Sequence, residues 1–164
     1  MKRDNPLLHL GKFPPFDQIQ VSDYLPAFEQ SIVDAQAELE SIASQQTPAD
    51  FDNTILALDR FGQSYRLVVG LFFNLLEAEA SEEMRQVAKQ VIPLTVRFEN
   101  AYYANEALFK RVSIVYAQKP VLTLREDEVA LIDKLYTEFV RHGACLCEES
   151  KARFQAIQLA LEEK

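Results

Sequence analysis

Apolar residues recur at intervals of three and four along most of the chain, and this period restricts the fold more than any other feature. The first such stripe consists of Leu25, Phe28, Ile32, Ala35, Leu39 and Ile42. This spacing places side chains on one face of an α-helix. No segment alternates apolar and polar residues for long, and only four glycines occur, so strands are not expected. The sequence predicts an all-α fold: a bundle of about six helices in a single domain over residues 1–164, with an extended segment at residues 1–21.

Start signals divide this periodic sequence into separate helices. Short side chains that carry oxygen accept hydrogen bonds from the free amides of a helix start. Ser22 or Asp23 is therefore predicted to cap the first helix, Ser81 the third, Asn105 the fourth and Thr123 the fifth. The inward face of the fifth helix is predicted to carry Val129, Ile132, Leu135, Tyr136, Phe139 and Val140.

The second helix is predicted to begin near Asp50 and to continue past Gly62. Its residues 67–76 are apolar on so many sides that we expect this part in the core. Phe72 and Phe73 are compatible with a ligand pocket, but aromatic residues inside a helix more often belong to the core. Asn74 stands out there, because a buried amide needs hydrogen-bond partners.

A corner is predicted at Gly143, where the fifth helix ends. Cys147 stands at the cap position of a last helix that begins near Glu148. The apolar side of that helix would comprise Phe154, Ile157 and Leu161, and the pattern continues up to the last residue. We therefore expect the chain to be the N-terminal piece of a longer protein.

The charge balance excludes several classes of partner. There are 25 acidic and 17 basic residues, a net charge of -8, and no basic cluster. Nucleic-acid binding is not expected, since it relies on Lys and Arg neutralising phosphates. Anionic membrane surfaces are disfavoured for the same reason, and residues 67–76 are too short a stretch to span a bilayer. No signal-peptide pattern is present, so a cytoplasmic location is predicted.

One stretch has the residue types of a metal or redox site. His142, Cys145 and Cys147 lie within six positions, and imidazole and thiolate are common zinc ligands. A structural zinc site needs four ligands, whereas this group offers three. The Cys-x-Cys spacing also lacks the two-residue spacer of a thioredoxin-type motif. A structural role is therefore favoured for both cysteines, and a metal sensor is kept as a weaker hypothesis.

Known catalytic motifs cannot be assembled from this sequence. The H-E-x-x-H helix of zinc peptidases needs two histidines four positions apart, but the two histidines are His9 and His142. The four glycines make no P-loop, dinucleotide fingerprint or nucleophile elbow. The acidic residues are interpreted as solvated helix surface. We therefore predict no catalytic, cofactor-binding or metal-binding residue in this chain.

Several segments stand in a characteristic order along the chain: NPLL at residues 5–8, PPFDQI at 14–19, SDYLPAFEQSI at 22–32 and DFDNTILALDRFG at 50–62. They are followed by VVGLFFNLLEAEASEEMRQV, YYANEALFKRV and FVRHGACLCEESKARFQAI. In this order, the segments resemble the N-terminal region of the thimet oligopeptidase (M3) family of zinc metallopeptidases, in particular its peptidyl-dipeptidases. The resemblance covers nearly the whole chain, but it does not separate peptidyl-dipeptidases from the related oligopeptidases.

The resemblance implies a helical parent enzyme several times longer than this chain. In such a parent, zinc held by a later H-E-x-x-H motif would drive water onto a peptide bond, and peptidyl-dipeptidases remove dipeptides from the C-termini of oligopeptides. The N-terminal helices would form a wall of the channel that admits substrate. None of the catalytic residues falls within residues 1–164, so the piece alone is expected to be inactive and to need no zinc.

Besides the metal sensor, one other interpretation remains open at this stage. The chain could be a free-standing helical interaction module with an apolar groove for partner helices. A truncated lobe would instead expose apolar surface where the rest of the parent docks, and this surface could also support a dimer.

Overall fold

Helices account for the regular structure throughout the part of the chain that is described. The computed structural model describes residues 4–9, 13–78 and 81–146, and no strand occurs among them. The helices are α1 (Val21–Ala43), α2 (Ala57–Arg60), α3 (Gln63–Ala78), α4 (Glu82–Tyr103), α5 (Glu106–Gln118) and α6 (Glu126–Arg141). A π-helical turn (Phe51–Leu56) leads directly into α2, and 3-10 turns occupy Pro6–His9 and Lys119–Val121. The predicted all-α fold is confirmed.

Two of the predicted caps stand where the sequence placed them. The Ser81 hydroxyl accepts a hydrogen bond of 3.1 Å from the backbone N–H of Met84 at the start of α4. The Asn105 side chain accepts one of 3.0 Å from the N–H of Leu108 at the start of α5. Each cap satisfies an amide that the helix itself leaves without an acceptor.

The prediction that Ser22 or Asp23 caps the first helix was wrong. Helix α1 already begins at Val21. The Asp23 carboxylate lies in its first turn and accepts a hydrogen bond of 2.8 Å from the N–H of Gln20. An acidic side chain at this position reaches back and accepts a hydrogen bond from the N–H of the residue before the helix.

The predicted cap at Thr123 was also wrong. Helix α6 begins at Glu126, and Arg125 occupies the cap position. The Glu128 carboxylate accepts a hydrogen bond of 2.9 Å from the N–H of Arg125. Three acidic residues in the first turn of α6 also suit the positive end of the helix dipole.

The predicted continuous second helix was also wrong, because the chain turns at Gly62. Gly62 has φ 63°, a left-handed conformation that glycine adopts without the steric cost of a Cβ atom. Its N–H donates a hydrogen bond of 2.8 Å to the carboxylate of Glu38 on α1. Helix α2 therefore ends at Arg60, and α3 begins at Gln63.

The chain divides into two compact units. The first comprises Met1–Ser41 and Arg60–Glu99, and the second comprises Ile42–Asp59 and Asn100–Lys164. In the first unit, Phe72 packs edge-on against Tyr24 and Phe28, with ring centroids 5.0 and 5.5 Å apart. Edge-to-face pairs of this kind contribute about 1 kcal/mol each beyond their buried area.

The second unit is built on α5, which packs against α6 and against the π-helical turn. Its side chains that are almost completely buried include Ile55, Leu58, Leu108, Val112, Val115, Ile132 and Phe139. Most of the predicted inward face of α6 is buried or half-buried, as expected. Val140 is the exception, since it is exposed, and its predicted inward position was wrong.

Residues 67–76 are less buried than predicted. Val68 and Phe72 are fully buried, whereas Leu67 is half exposed and Asn74 is exposed. Only one face of α3 enters the core, so the Asn74 amide needs no protein partner. The predicted last helix from Glu148 onwards lies outside the described residues. Among the residues that are described, no helix is long and apolar enough to cross a membrane.

Candidate functional site

His142 lies at the corner that follows α6 and makes two contacts. Its Nδ1 atom is 2.8 Å from the backbone carbonyl of Glu138. Because a carbonyl only accepts, Nδ1 carries the proton in this contact. The imidazole stacks on the Tyr103 ring, with centroids 3.7 Å apart and planes 6° apart. One ring nitrogen and one ring face of His142 are therefore already engaged in contacts within the protein.

The corner itself has the conformation expected from its glycine. Gly143 has φ 88°, and its N–H donates to the carbonyl of Val140 at 3.0 Å. The next N–H, of Ala144, donates to the carbonyl of Phe139 at 3.0 Å. Both bonds satisfy carbonyls that the end of α6 leaves free, which confirms the prediction that Gly143 ends this helix.

The three proposed metal ligands are not brought together in the described part of the chain. Cys145 is an exposed free thiol, and Cys147 lies outside the described residues. Within residues 4–9, 13–78 and 81–146, no three His, Cys, Asp or Glu side chains are placed to hold a metal ion. The other histidine, His9, lies elsewhere in the chain, and its exposed Nε2 atom is 3.7 Å from a carboxylate oxygen of Asp4.

The aromatic stretch of α3 is mainly a packing element. Phe72 is fully buried, and the Phe73 ring contacts it with centroids 5.3 Å apart. The core interpretation of Phe72 is thereby confirmed. These two rings contact each other, and the one polar residue beside them, Asn74, is exposed.

The most constrained polar cluster surrounds Arg111, which sequence reasoning missed. Arg111 lies on α5 and is only 7% exposed. Its Nη1 donates to the carbonyls of Gln45 and Thr47 at 3.1 and 3.2 Å. Its Nη2 donates to the side-chain oxygens of Gln45 and Asn53 at 3.2 and 2.7 Å. We call these four residues the Arg111 cluster.

Asn53 connects this cluster to the start of the π-helical turn. Its Oδ1 also accepts from the N–H of Asp50 at 3.0 Å, and its Nδ2 donates to the carbonyl of Pro48 at 2.9 Å. The Asp50 carboxylate accepts in return from the N–H of Asn53 at 2.7 Å. This reciprocal capping box shapes the end of the segment between α1 and the π-helical turn, and Arg111 binds the same segment through the carbonyls of Gln45 and Thr47.

The acceptors of Arg111 are all neutral oxygens, so the cluster is suited to structure rather than to proton transfer. Four hydrogen bonds from Nη1 and Nη2 stabilise this buried guanidinium. A signal in the sequence was available: Arg111 stands inside the apolar stripe formed by Leu108, Val112 and Val115. A basic residue at such a position requires buried acceptors.

Tyr24 and Tyr65 carry buried hydroxyl groups, a type of group that can transfer protons when it ionises. The hydroxyls of Tyr24 and Tyr65 have no hydrogen-bond partner within the described residues. Burial, with a smaller effect of the Glu99 charge, raises the pKa of Tyr65 above its usual value of 10.0. Burial also raises the pKa of Tyr24, with a smaller effect of Asp23. Both hydroxyls stay protonated near neutral pH, where they cannot act as bases.

Aromatic rings join α5 to α6 in the second unit. The Phe109 ring stacks with Tyr136 and with Phe139, with centroids 5.8 Å apart in each pair. Tyr116 stacks on Tyr136 with centroids 3.9 Å apart. The Lys119 ammonium lies 4.8 Å from the centroid of the Tyr116 ring. These ring contacts hold α5 and α6 against each other.

The described residues thus form a helical scaffold, and no metal-ligand set is present among their side chains. No family model matches the chain. Similar proteins nevertheless exist, and they are peptidases.

The chain is 33% identical over 157 residues to a dipeptidyl carboxypeptidase of Salmonella typhimurium, covering 93% of this chain and 23% of that enzyme. It is 32% identical over 144 residues to the dipeptidyl carboxypeptidase of Escherichia coli, covering 88% of this chain and 21% of that enzyme. Oligopeptidase A of Escherichia coli is 23% identical over 159 residues, covering 97% of this chain and 23% of that protein.

The chain therefore spans less than a quarter of the length of these relatives. The match nevertheless includes nearly all of its own residues, as the ordered segments in the sequence predicted. This chain is homologous to a portion of the dipeptidyl carboxypeptidases and oligopeptidases A.

Proposed function

We propose that this chain is the N-terminal part of a zinc-dependent peptidyl-dipeptidase of the thimet oligopeptidase (M3) family. The parent enzyme would remove dipeptides from the C-termini of oligopeptides. The observation that carries the proposal is the 33% identity over 157 residues to a dipeptidyl carboxypeptidase. The lower identity of 23% to oligopeptidase A favours a peptidyl-dipeptidase over an oligopeptidase.

The residues described here do not fit a zinc site. His142 is engaged by Glu138 and Tyr103, and no set of three potential ligands converges among the described side chains. A catalytic zinc needs three protein ligands and a position for water. The zinc ligands and the general base are therefore assigned to the remainder of the parent, and this chain alone is expected to be inactive.

The role proposed for this chain is a supporting one. Its helices would form a wall of the channel that admits unfolded peptides to the zinc site. The Arg111 cluster and the aromatic contacts between α5 and α6 support this role, because they hold helices and their connections in place. The location proposed for the parent is the cytoplasm, and fractionation of the native cells tests this directly.

The first experiment assays the 164-residue chain alone. A blocked oligopeptide is incubated with the purified chain and zinc, and products are identified by mass spectrometry. We expect no dipeptide release, because the chain supplies neither zinc ligands nor a general base. Zinc-dependent release by this chain would contradict the proposal.

The second experiment uses the parent reading frame, expressed with and without residues 1–164. The complete parent should release C-terminal dipeptides, whereas internal cleavage would indicate an oligopeptidase. The shortened parent should lose most of this activity. A reading frame without an H-E-x-x-H motif would contradict the proposal and would favour the alternative, a helical module that binds partner helices.

A further inference from the structure

We draw no further inference here: the strongest candidate, the apolar outer face of α3 on which Leu67 is half exposed, carries nothing, because nothing in the structure shows what covers that face.

Discussion

Arg111 donates a hydrogen bond of 2.7 Å to the Oδ1 atom of Asn53, a residue 58 positions earlier in the chain. This contact joins α5 to the start of the π-helical turn within the second unit. Arg111 is 7% exposed, and the same guanidinium also donates to the carbonyls of Gln45 and Thr47. One buried charge thus organises a connection that has no regular structure of its own.

Replacing Arg111 with methionine should destabilise the chain by about 3 kcal/mol, since four acceptor oxygens lose a charged donor. Urea unfolding followed by circular dichroism measures this loss. Lys110→Met is the matched control, because Lys110 is the exposed neighbour on α5 and its replacement should change stability by less than about 0.5 kcal/mol. Equal losses in the two variants would show that Arg111 does not hold this connection.

Two glycines should respond oppositely to alanine. Gly62 has φ 63°, so Gly62→Ala should cost about 1 to 2 kcal/mol through backbone strain. A Cβ atom there would lie an ordinary 3.5 Å from the Cβ of Ala35, whereas one at Gly70, inside α3, would meet nothing within 4 Å. Gly70→Ala should stabilise by up to about 1 kcal/mol through helix propensity. Thermal unfolding measures both, and a neutral Gly62→Ala would argue against the strained turn.

The cap of α5 gives a separate prediction. Asn105→Ala should lower the free energy of unfolding by about 1 kcal/mol, because the N–H of Leu108 loses its acceptor. Asn105→Ser should retain most of the stability, since serine caps nearly as well as asparagine. Chemical denaturation compares the two variants. If serine cost as much as alanine, the hydrogen bond to Leu108 would not be the source of the effect.

The raised pKa of Tyr65 predicts a loss of stability at alkaline pH. Its pKa is raised in the folded state above the value of 10.0 that applies to the unfolded chain. Above pH 10 the unfolded chain releases a proton that the folded chain keeps. Stability should therefore fall with rising pH, by up to about 1.4 kcal/mol per unit for this one proton.

Tyr65→Phe should remove this contribution while leaving the ring contact with Phe98, whose centroid is 4.8 Å away. The free energy of unfolding, measured between pH 8 and 11, should then decline less steeply with pH for the variant than for the unsubstituted chain. An equal decline in the two proteins would show that the Tyr65 hydroxyl ionises equally easily in the folded and the unfolded state.

Zinc analysis tests the corner after α6. Protein purified without a His-tag should contain much less than one equivalent of zinc, because the described corner supplies one imidazole and one thiol where structural sites use four ligands. Elemental analysis by mass spectrometry makes the measurement. Stoichiometric zinc that disappears in a Cys145→Ala, Cys147→Ala variant would restore the metal-sensor hypothesis.

The helix starts show which features of the fold can be predicted from the sequence. Ser81 and Asn105 were predicted as caps because the side chain and the amide that it binds are only three positions apart. Asp23 and Glu128 were missed in this role because each acts backwards from inside its helix. For Asp23, the same residue types are also compatible with a helix that begins two or three positions later.

The candidate site was harder to predict than the fold. The grouping of His142 with Cys145 was visible in the sequence, but the stacking of His142 on Tyr103 was not. The Arg111 cluster unites residues 58 to 66 positions apart, and no local pattern encodes that distance. Arg111 was conspicuous only as a basic residue within an apolar stripe.

The sequence by itself determined that the chain is helical, because the three- and four-residue spacing of apolar side chains is a property of each segment alone. It also determined the relationship to peptidases, through segments that keep a common order. Only the tertiary structure decided where the second helix breaks, since the N–H of Gly62 binds the carboxylate of Glu38, 24 positions earlier. It likewise decided which face of α3 is buried and which oxygens receive Arg111, because these depend on contacts between segments that are distant in the chain.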